Sequence, residues 1–289
     1  MMQIIKRRKI YFTISIILLL GSLFSLIVWG LKLGIDFTGG ALMEISFTEE
    51  RLSNQEIQDK LIDLNLGKIN IQPIGNTNVL LRIKEIDEDT HQQILSNLGN
   101  IKEERFESVG PLIGEELKRK AIWAIGLALL VIILYIAWAF RKVSKPIASW
   151  QYGLVAIVAL FHDIFITLGF FSLLGYFREI EIGLPFVAAF LTILGYSVNN
   201  SIVIFDRVRE NLLKMNWDDF KEVVNQSINQ SLTRCLNTAL TTLFVLLAVF
   251  FLGGESIKYF SLALIVGIIV GTYSSIFITS SLIIAWYKK

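Results

Sequence analysis

Cysteine occurs once, at Cys235, so no intramolecular disulfide framework holds this chain together. Histidine occurs twice, and two histidines with one cysteine do not make a usual zinc site. The 289 residues contain neither a phosphate-cradling glycine loop nor a nucleophile elbow. Nucleotide hydrolysis by the chain itself is therefore not expected, nor is enzymatic chemistry or a cofactor. Charge is scarce too: Asp, Glu, Lys and Arg make up 18% of residues, against roughly 25% in ordinary soluble domains. The net charge of +2 says nothing as a total, and nothing in it points to nucleic acid.

What the chain has instead is apolar length. Hydrophobic residues are 54% of the sequence and the mean hydropathy is +0.59. A helix needs about 20 apolar residues to cross a bilayer, and six stretches qualify: 10–31, 121–140, 147–177, 182–205, 235–254 and 259–287. The first follows Lys6, Arg7, Arg8 and Lys9, but its apolar run is too long for a signal peptide and no small-residue cleavage pattern follows. It is expected to be a retained anchor after a cytoplasmic N-terminus of residues 1–9. Basic residues decide the orientation. They cluster before span one, at Arg141, Lys142 and Lys145, at Arg207, Arg209, Lys214 and Lys221, and at Lys288 and Lys289, while the opposite short loops hold only Arg178 and Lys258. Both termini are expected in the cytoplasm and the 32–120 segment outside.

Within that segment, residues 41–47 alternate and put Ala41, Met43, Ile45 and Phe47 on one face of a strand. Ser53 and Glu56 have capping-box spacing ahead of Ile57, Leu61 and Leu64, which share a helix face. Strands are predicted over 68–74 and 78–85, a helix over 90–98 and a last strand over 101–109. The order β-α-β-β-α-β is that of a ferredoxin-like fold. The expected fold class is a polytopic α-helical membrane protein, with six transmembrane helices and one small α+β extracytoplasmic domain. That domain carries 16 acidic and 11 basic residues between Lys32 and Lys120, the balance of a solvated surface.

Polar groups inside spans are costly and default to functional candidates. Asp163, near the middle of the third span, is a candidate proton carrier or a structural carboxyl bonded to a neighbouring helix. His162 lies about 100° around the helix from it and need not share its partner. The fourth span carries Gly195, Tyr196, Ser197, Asn199, Asn200 and Ser201, which must face other helices or water. Asp206 and Arg207 follow at the membrane edge. Arg234 and Thr238 share one face of the fifth span, with Arg234 free to snorkel to the interface. Gly267 and Gly271 in the sixth span suit close helix packing, and Thr272, Ser274 and Ser275 are given no further role.

Several stretches together resemble the SecF members of the SecD/SecF family, a branch of the RND transporter superfamily. They are GIDFTGG (34–40), FHD (161–163), LGYSVNNSIVIFDRVREN (194–211), SLTRCLNTALTTL (231–243) and FLGGESIKYFSLALIVGIIVGTYSSI (251–276). The resemblance implies an accessory subunit of the Sec protein translocase. It pairs with SecD, works beside the Sec channel complex, and uses the proton-motive force to promote preprotein translocation or release. It also implies a bacterial inner membrane, with a thylakoid or plastid membrane as the alternative. Arg234 and Thr238 match the basic and hydroxyl positions of the family's proton relay. Asn200 stands where the family carries an acid, and its amide oxygen is an acceptor open to Arg234. In GIDFTGG, Asp36, Gly39 and Gly40 are expected to form a junction where span one leaves the bilayer. Two other classes stay open: an RND-type exporter of small molecules or lipids, and a non-conducting structural subunit.

Overall fold

The computed structural model describes residues 2–48, 50–139, 147–214 and 219–287. Arg141, Lys142, Lys145, Lys288 and Lys289, used above for orientation, lie outside the described residues. In chain order, a 3-10 turn at Ile5–Arg7 leads into helix α1 (Arg8–Val28), and a short helix α2 (Ile35–Thr38) precedes strand β1 (Gly40–Phe47). Then follow α3 (Asn54–Leu61), β2 (Asn70–Ile74), β3 (Asn78–Ile83), α4 (Glu88–Leu98) and β4 (Ile101–Val109). After these come α5 (Pro111–Ala139), α6 (Ser149–Arg178), α7 (Leu184–Lys214), α8 (Phe220–Leu252), α9 (Glu255–Tyr273), a π-helical turn (Ser274–Thr279) and α10 (Ser280–Trp286). The chain divides into two compact units, one of Leu33–Ile122, the other of Met1–Lys32 with Trp123–Lys289.

The smaller unit has an antiparallel sheet in the order β2-β3-β1-β4, the arrangement that β-α-β-β-α-β connectivity produces in a ferredoxin-like fold. Period-two alternation puts Ala41, Met43, Ile45, Val79 and Leu81 on one face, all fully buried beneath Ile57 of α3 and Ile94 of α4. The predicted capping box is present: Glu56 N donates to Ser53 Oγ at 3.2 Å and Ser53 N to Glu56 Oε2 at 2.8 Å. Helix α4 starts two residues before its predicted position. The Asp87 side chain accepts from Thr90 N at 2.9 Å, and the apolar pattern used for prediction did not register that cap.

Among the described residues, six helices are long and apolar enough to cross a membrane: Ile5–Val28, Pro111–Ala139, Trp150–Arg178, Leu184–Lys214, Phe220–Leu252 and Ile257–Trp286. Several helices run past the apolar stretches, because backbone hydrogen bonding continues into the polar turns at either end. The third, fourth and sixth spans are 56%, 50% and 67% buried inside the chain, and the first, second and fifth only 17%, 11% and 11%. The former three make the inner packing, and small residues set their spacing. A Cβ on Gly169 would stand 2.3 Å from Ser22 Cβ, and one on Gly267 would stand 2.2 Å from Ile193 Cδ1. Glycine is what lets α1 meet α6, and α9 meet α7, at this distance.

Candidate functional site

Asp163 lies midway along α6 and has no solvent exposure. Its Oδ2 accepts from Ser197 Oγ of α7 at 2.5 Å and from Ser274 Oγ, at the start of the π-helical turn, at 2.8 Å. Its Oδ1 lies 2.9 Å from His162 Nδ1, and His162 Nε2 lies 3.0 Å from Ser15 Oγ of α1. The Nδ1–H tautomer satisfies both ends, with Nε2 accepting from the serine hydroxyl. One carboxyl group thus gathers side chains from α1, α6, α7 and the sixth span. Gly271 makes room, since a Cβ there would stand 3.4 Å from Asp163 Oδ2 and 3.2 Å from Ser197 Cβ. The π-helical turn carries Ser275 to the same seam. Its hydroxyl donates to Ser197 O at 3.1 Å and lies 3.1 Å from Ser201 Oγ. Such turns inside α-helices recur at functional sites.

Two sequence expectations change here. His162 and Asp163 share a hydrogen bond in spite of the 100° between their positions, because the imidazole spans from Asp163 to α1. Ser274, read only as part of a packing stripe, is a direct donor to the carboxylate. Ser15 was not singled out at all. The signal for it was a hydroxyl in the middle of an otherwise apolar span, which lipid disfavours.

Asn200 is 2% exposed on α7, one turn from Tyr196. The Tyr196 hydroxyl lies against Asn200 and Thr272 but outside hydrogen-bond geometry with either. Tyr196 Oη, Asn200 Nδ2 and Thr272 Oγ1 are therefore buried without hydrogen-bond partners among the described residues. Arg234 is not among its neighbours. It is exposed on α8 and lines a cleft with Asn199, Asp206, Glu210 and Gln230. The expected Arg234–Asn200 hydrogen bond is thus replaced by a shared cleft with Asn199. Asn200 points elsewhere because successive helix positions are 100° apart.

Thr238 Oγ1 turns back to Arg234 O at 2.9 Å, and Thr242 Oγ1 to Thr238 O at 3.0 Å. Arg234, Asn237, Thr238 and Thr241 are all exposed. At the end of α7, Arg207 pairs with Glu210 at 2.7 Å and Asp206 with Arg209 at 3.5 Å, ordinary pairs one turn apart on a helix surface.

In the smaller unit, Asp36 lies in the first turn of α2. Gly39 and Gly40 have φ of +73° and +130°, which glycine alone adopts without strain. A Cβ on Gly39 would stand 2.8 Å from Pro111 Cα, and one on Gly40 2.8 Å from Ile83 O. The glycine pair is a tight backbone crossing against the start of α5 and the end of β3. Among the described residues, no group of three or more His, Cys, Asp or Glu side chains gathers to hold a metal ion.

Residues 90–289 match the family model of the protein export membrane protein SecD/SecF, C-terminal, and residues 24–50 match the SecD/SecF GG motif. The protein translocase subunit SecF of Thermobaculum terrenum is 40% identical over 305 residues, which covers 100% of this chain and 95% of that one. That of Haemophilus influenzae is 38% identical, covering 96% and 83%. Among solved structures, SecDF from Thermus thermophilus, described as a translocon-associated membrane protein, superposes with a TM-score of 0.86 at 34% identity over 99% of this chain. SecDF in a super-membrane-facing form gives 0.69 over the same share. This chain spans 38% of the length of each of those SecDF chains. With a family model over its last 200 residues and relatives matched along nearly its whole length, this multi-pass membrane chain belongs to the SecD/SecF family of protein export membrane proteins.

Proposed function

We propose that this chain is an accessory subunit of a Sec protein translocase that pairs with a SecD protein and uses the proton-motive force to promote preprotein translocation or release. Family membership supports the translocase role. The observation that carries the coupling is the buried Asp163 with its three donors, from α6, α7 and the sixth span, and its link to α1 through His162. Ionised, this carboxylate accepts from Ser197, Ser274 and His162 together. Protonated, it must donate one hydrogen bond, so at least one of those three bonds has to reverse, turn or break. Proton uptake is thereby converted into a change of contacts between α6, α7, the sixth span and, through His162, α1. The energy scale is adequate: one charge moved across 100 mV is worth about 2.3 kcal/mol, enough to shift a two-state equilibrium roughly fifty-fold.

The exposed polar face of α8 supports a second helix-lined surface in the assembly. Arg234, Asn237, Thr238 and Thr241 are poor company for lipid, and SecD is the partner we assign to them. Lys6 to Lys9, Arg207, Arg209, Lys214 and Lys221 support termini on the cytoplasmic side of a bacterial inner membrane.

A second reading is favoured by Asn200. An amide does not take up or release protons near neutral pH, and a subunit without coupling of its own would support SecD structurally. One experiment separates the two. A secreted protein is pulse-labelled after depletion of the native chain, with rescue by the native sequence, Asp163→Asn or Arg234→Met. Precursor that persists with both variants, at normal subunit abundance, supports coupling. Full rescue by both with loss of SecD on depletion supports the structural subunit. Normal processing under depletion removes the translocase role.

A further inference from the structure

The N-terminal turn builds a cationic pocket that the Asp163 centre does not use. Ile4 and Ile5 are buried in the core of the larger unit with Phe220, Val223 and Val224 of α8. Polar contacts lock this seating. Met2 N donates to Asn229 Oδ1, and Asn229 Nδ2 to Met2 O, both at 2.9 Å. Ile5 N donates to Asn225 Oδ1 at 3.4 Å. With the isoleucines turned inward, Lys6, Arg8 and Lys9 stand with Lys221 around a cavity of about 340 Å³, against two carboxylates, Asp219 and Glu222.

The four cations outnumber the two carboxylates. Among the described residues none of the four cations forms an ion pair or a side-chain hydrogen bond, while Asp219 Oδ1 already accepts from Lys221 N at 3.0 Å. The wall also holds an amide side chain. Asn225 is 5% exposed and its Oδ1 accepts from Ile5 N, which leaves its amide N–H groups as the ones a ligand in the pocket would meet. The first turn of the 33-residue helix α8 adds partial positive charge. Next along α1 after Lys9, Ile10, Ile14 and Ile17 are 56%, 41% and 63% exposed, an apolar track at helical spacing.

We propose that this pocket binds the phosphate group of an anionic phospholipid whose acyl chains lie along the Ile10–Ile14–Ile17 track. Lysine, arginine and amide N–H groups suit phosphate oxygens, and basic pockets at the ends of spanning helices bind anionic headgroups. The apolar track favours a lipid over free phosphate, which has nothing to place there.

The test is native mass spectrometry of the purified full chain in neutral detergent, with phosphatidylglycerol, phosphatidylcholine or inorganic phosphate added. The native chain is expected to retain one phosphatidylglycerol in preference to phosphatidylcholine. A variant with Lys6→Gln, Arg8→Gln, Lys9→Gln and Lys221→Gln is expected to lose that retention by roughly tenfold or more. Asn225→Ala alone is expected to lower it less. A control with Lys60→Gln, Lys68→Gln, Lys102→Gln and Lys118→Gln is expected to retain it. Equal retention of the two lipids by the native chain, or equal loss in the control, overturns the proposal. Inorganic phosphate that occupies the site as well as the lipid does overturns the lipid assignment.

Discussion

The hydroxyl of Ser197 lies 2.5 Å from Oδ2 of Asp163, joining α7 to α6 at a point without solvent exposure. A contact of this kind ties the state of one carboxyl group to the packing of two spans, and it separates what shape contributes from what charge contributes.

Asp163→Asn keeps the size of the side chain and one oxygen acceptor, whereas Asp163→Leu leaves the Ser197 and Ser274 hydroxyls and the His162 ring without their acceptor. Each buried polar group left unpaired costs about 1–3 kcal/mol. The leucine variant is expected to melt well below the native chain in detergent, and the asparagine variant close to it, while both lose export. A leucine variant with native melting would mean that the hydroxyls find other partners.

Asn200→Asp is expected to be tolerated. The Tyr196 hydroxyl beside it is unpaired and able to donate to a carboxylate. Normal abundance, with export more steeply dependent on the proton-motive force, is the expected outcome. A degraded product would show that the amide is required where it stands.

Two glycines that set helix spacing give a steric prediction. Gly169→Ala and Gly267→Ala force a methyl group to within 2.3 Å of Ser22 and 2.2 Å of Ile193. Overpacking of this kind costs typically about 1–3 kcal/mol. Gly126→Ala on α5 meets nothing within 4 Å and is expected to be neutral or slightly stabilising. Thermal melting of the three variants should order them accordingly, and equal melting temperatures would defeat the account of glycine-set packing.

The smaller unit should weaken in acid. The Ser53 backbone N–H, with the Ser53 hydroxyl, holds the Glu56 carboxyl below its ordinary value, and Thr90 does the same for Asp87. Both values are depressed by folding, so the stability they contribute is present above the ordinary carboxylate range and is lost as pH falls through the folded values. Amide-exchange protection of α3, corrected for intrinsic rates, should decline through this acid range. Glu56→Gln keeps a capping side chain but does not titrate, so its decline should be flatter. Identical profiles for the two chains would remove Glu56 as a cause.

Periodicity alone sufficed for much of the architecture. Alternation at Ala41, Met43 and Ile45 could only place one face inward, and Ser53 with Glu56 marked a helix start through a strictly local pair of hydrogen bonds. Apolar runs marked the spans for an equally local reason, the length of hydrocarbon to be crossed. The Asp87 cap was missed because it adds no apolar signal. The site was harder to read. Asp163 stood out as a charge in lipid, yet the residues that define its chemistry did not. Ser15, Ser197 and Ser274 are separated from it by 148, 34 and 111 positions, and sequence patterns carry no information on which spans become neighbours.

The sequence by itself determined the kind of protein this is: its spans, its α+β unit, the rarity of charge within the lipid, and motifs in family order. These follow from local hydrogen bonding and from the cost of polar groups in hydrocarbon, which every residue meets wherever the chain goes. Only the tertiary structure decided that Asp163 gathers hydroxyls from other spans, that Arg234 turns away from Asn200, and that Lys6 and Lys221 share a pocket. Those outcomes depend on helix approach and rotation, which glycine contacts and the π-helical turn set after the spans have packed.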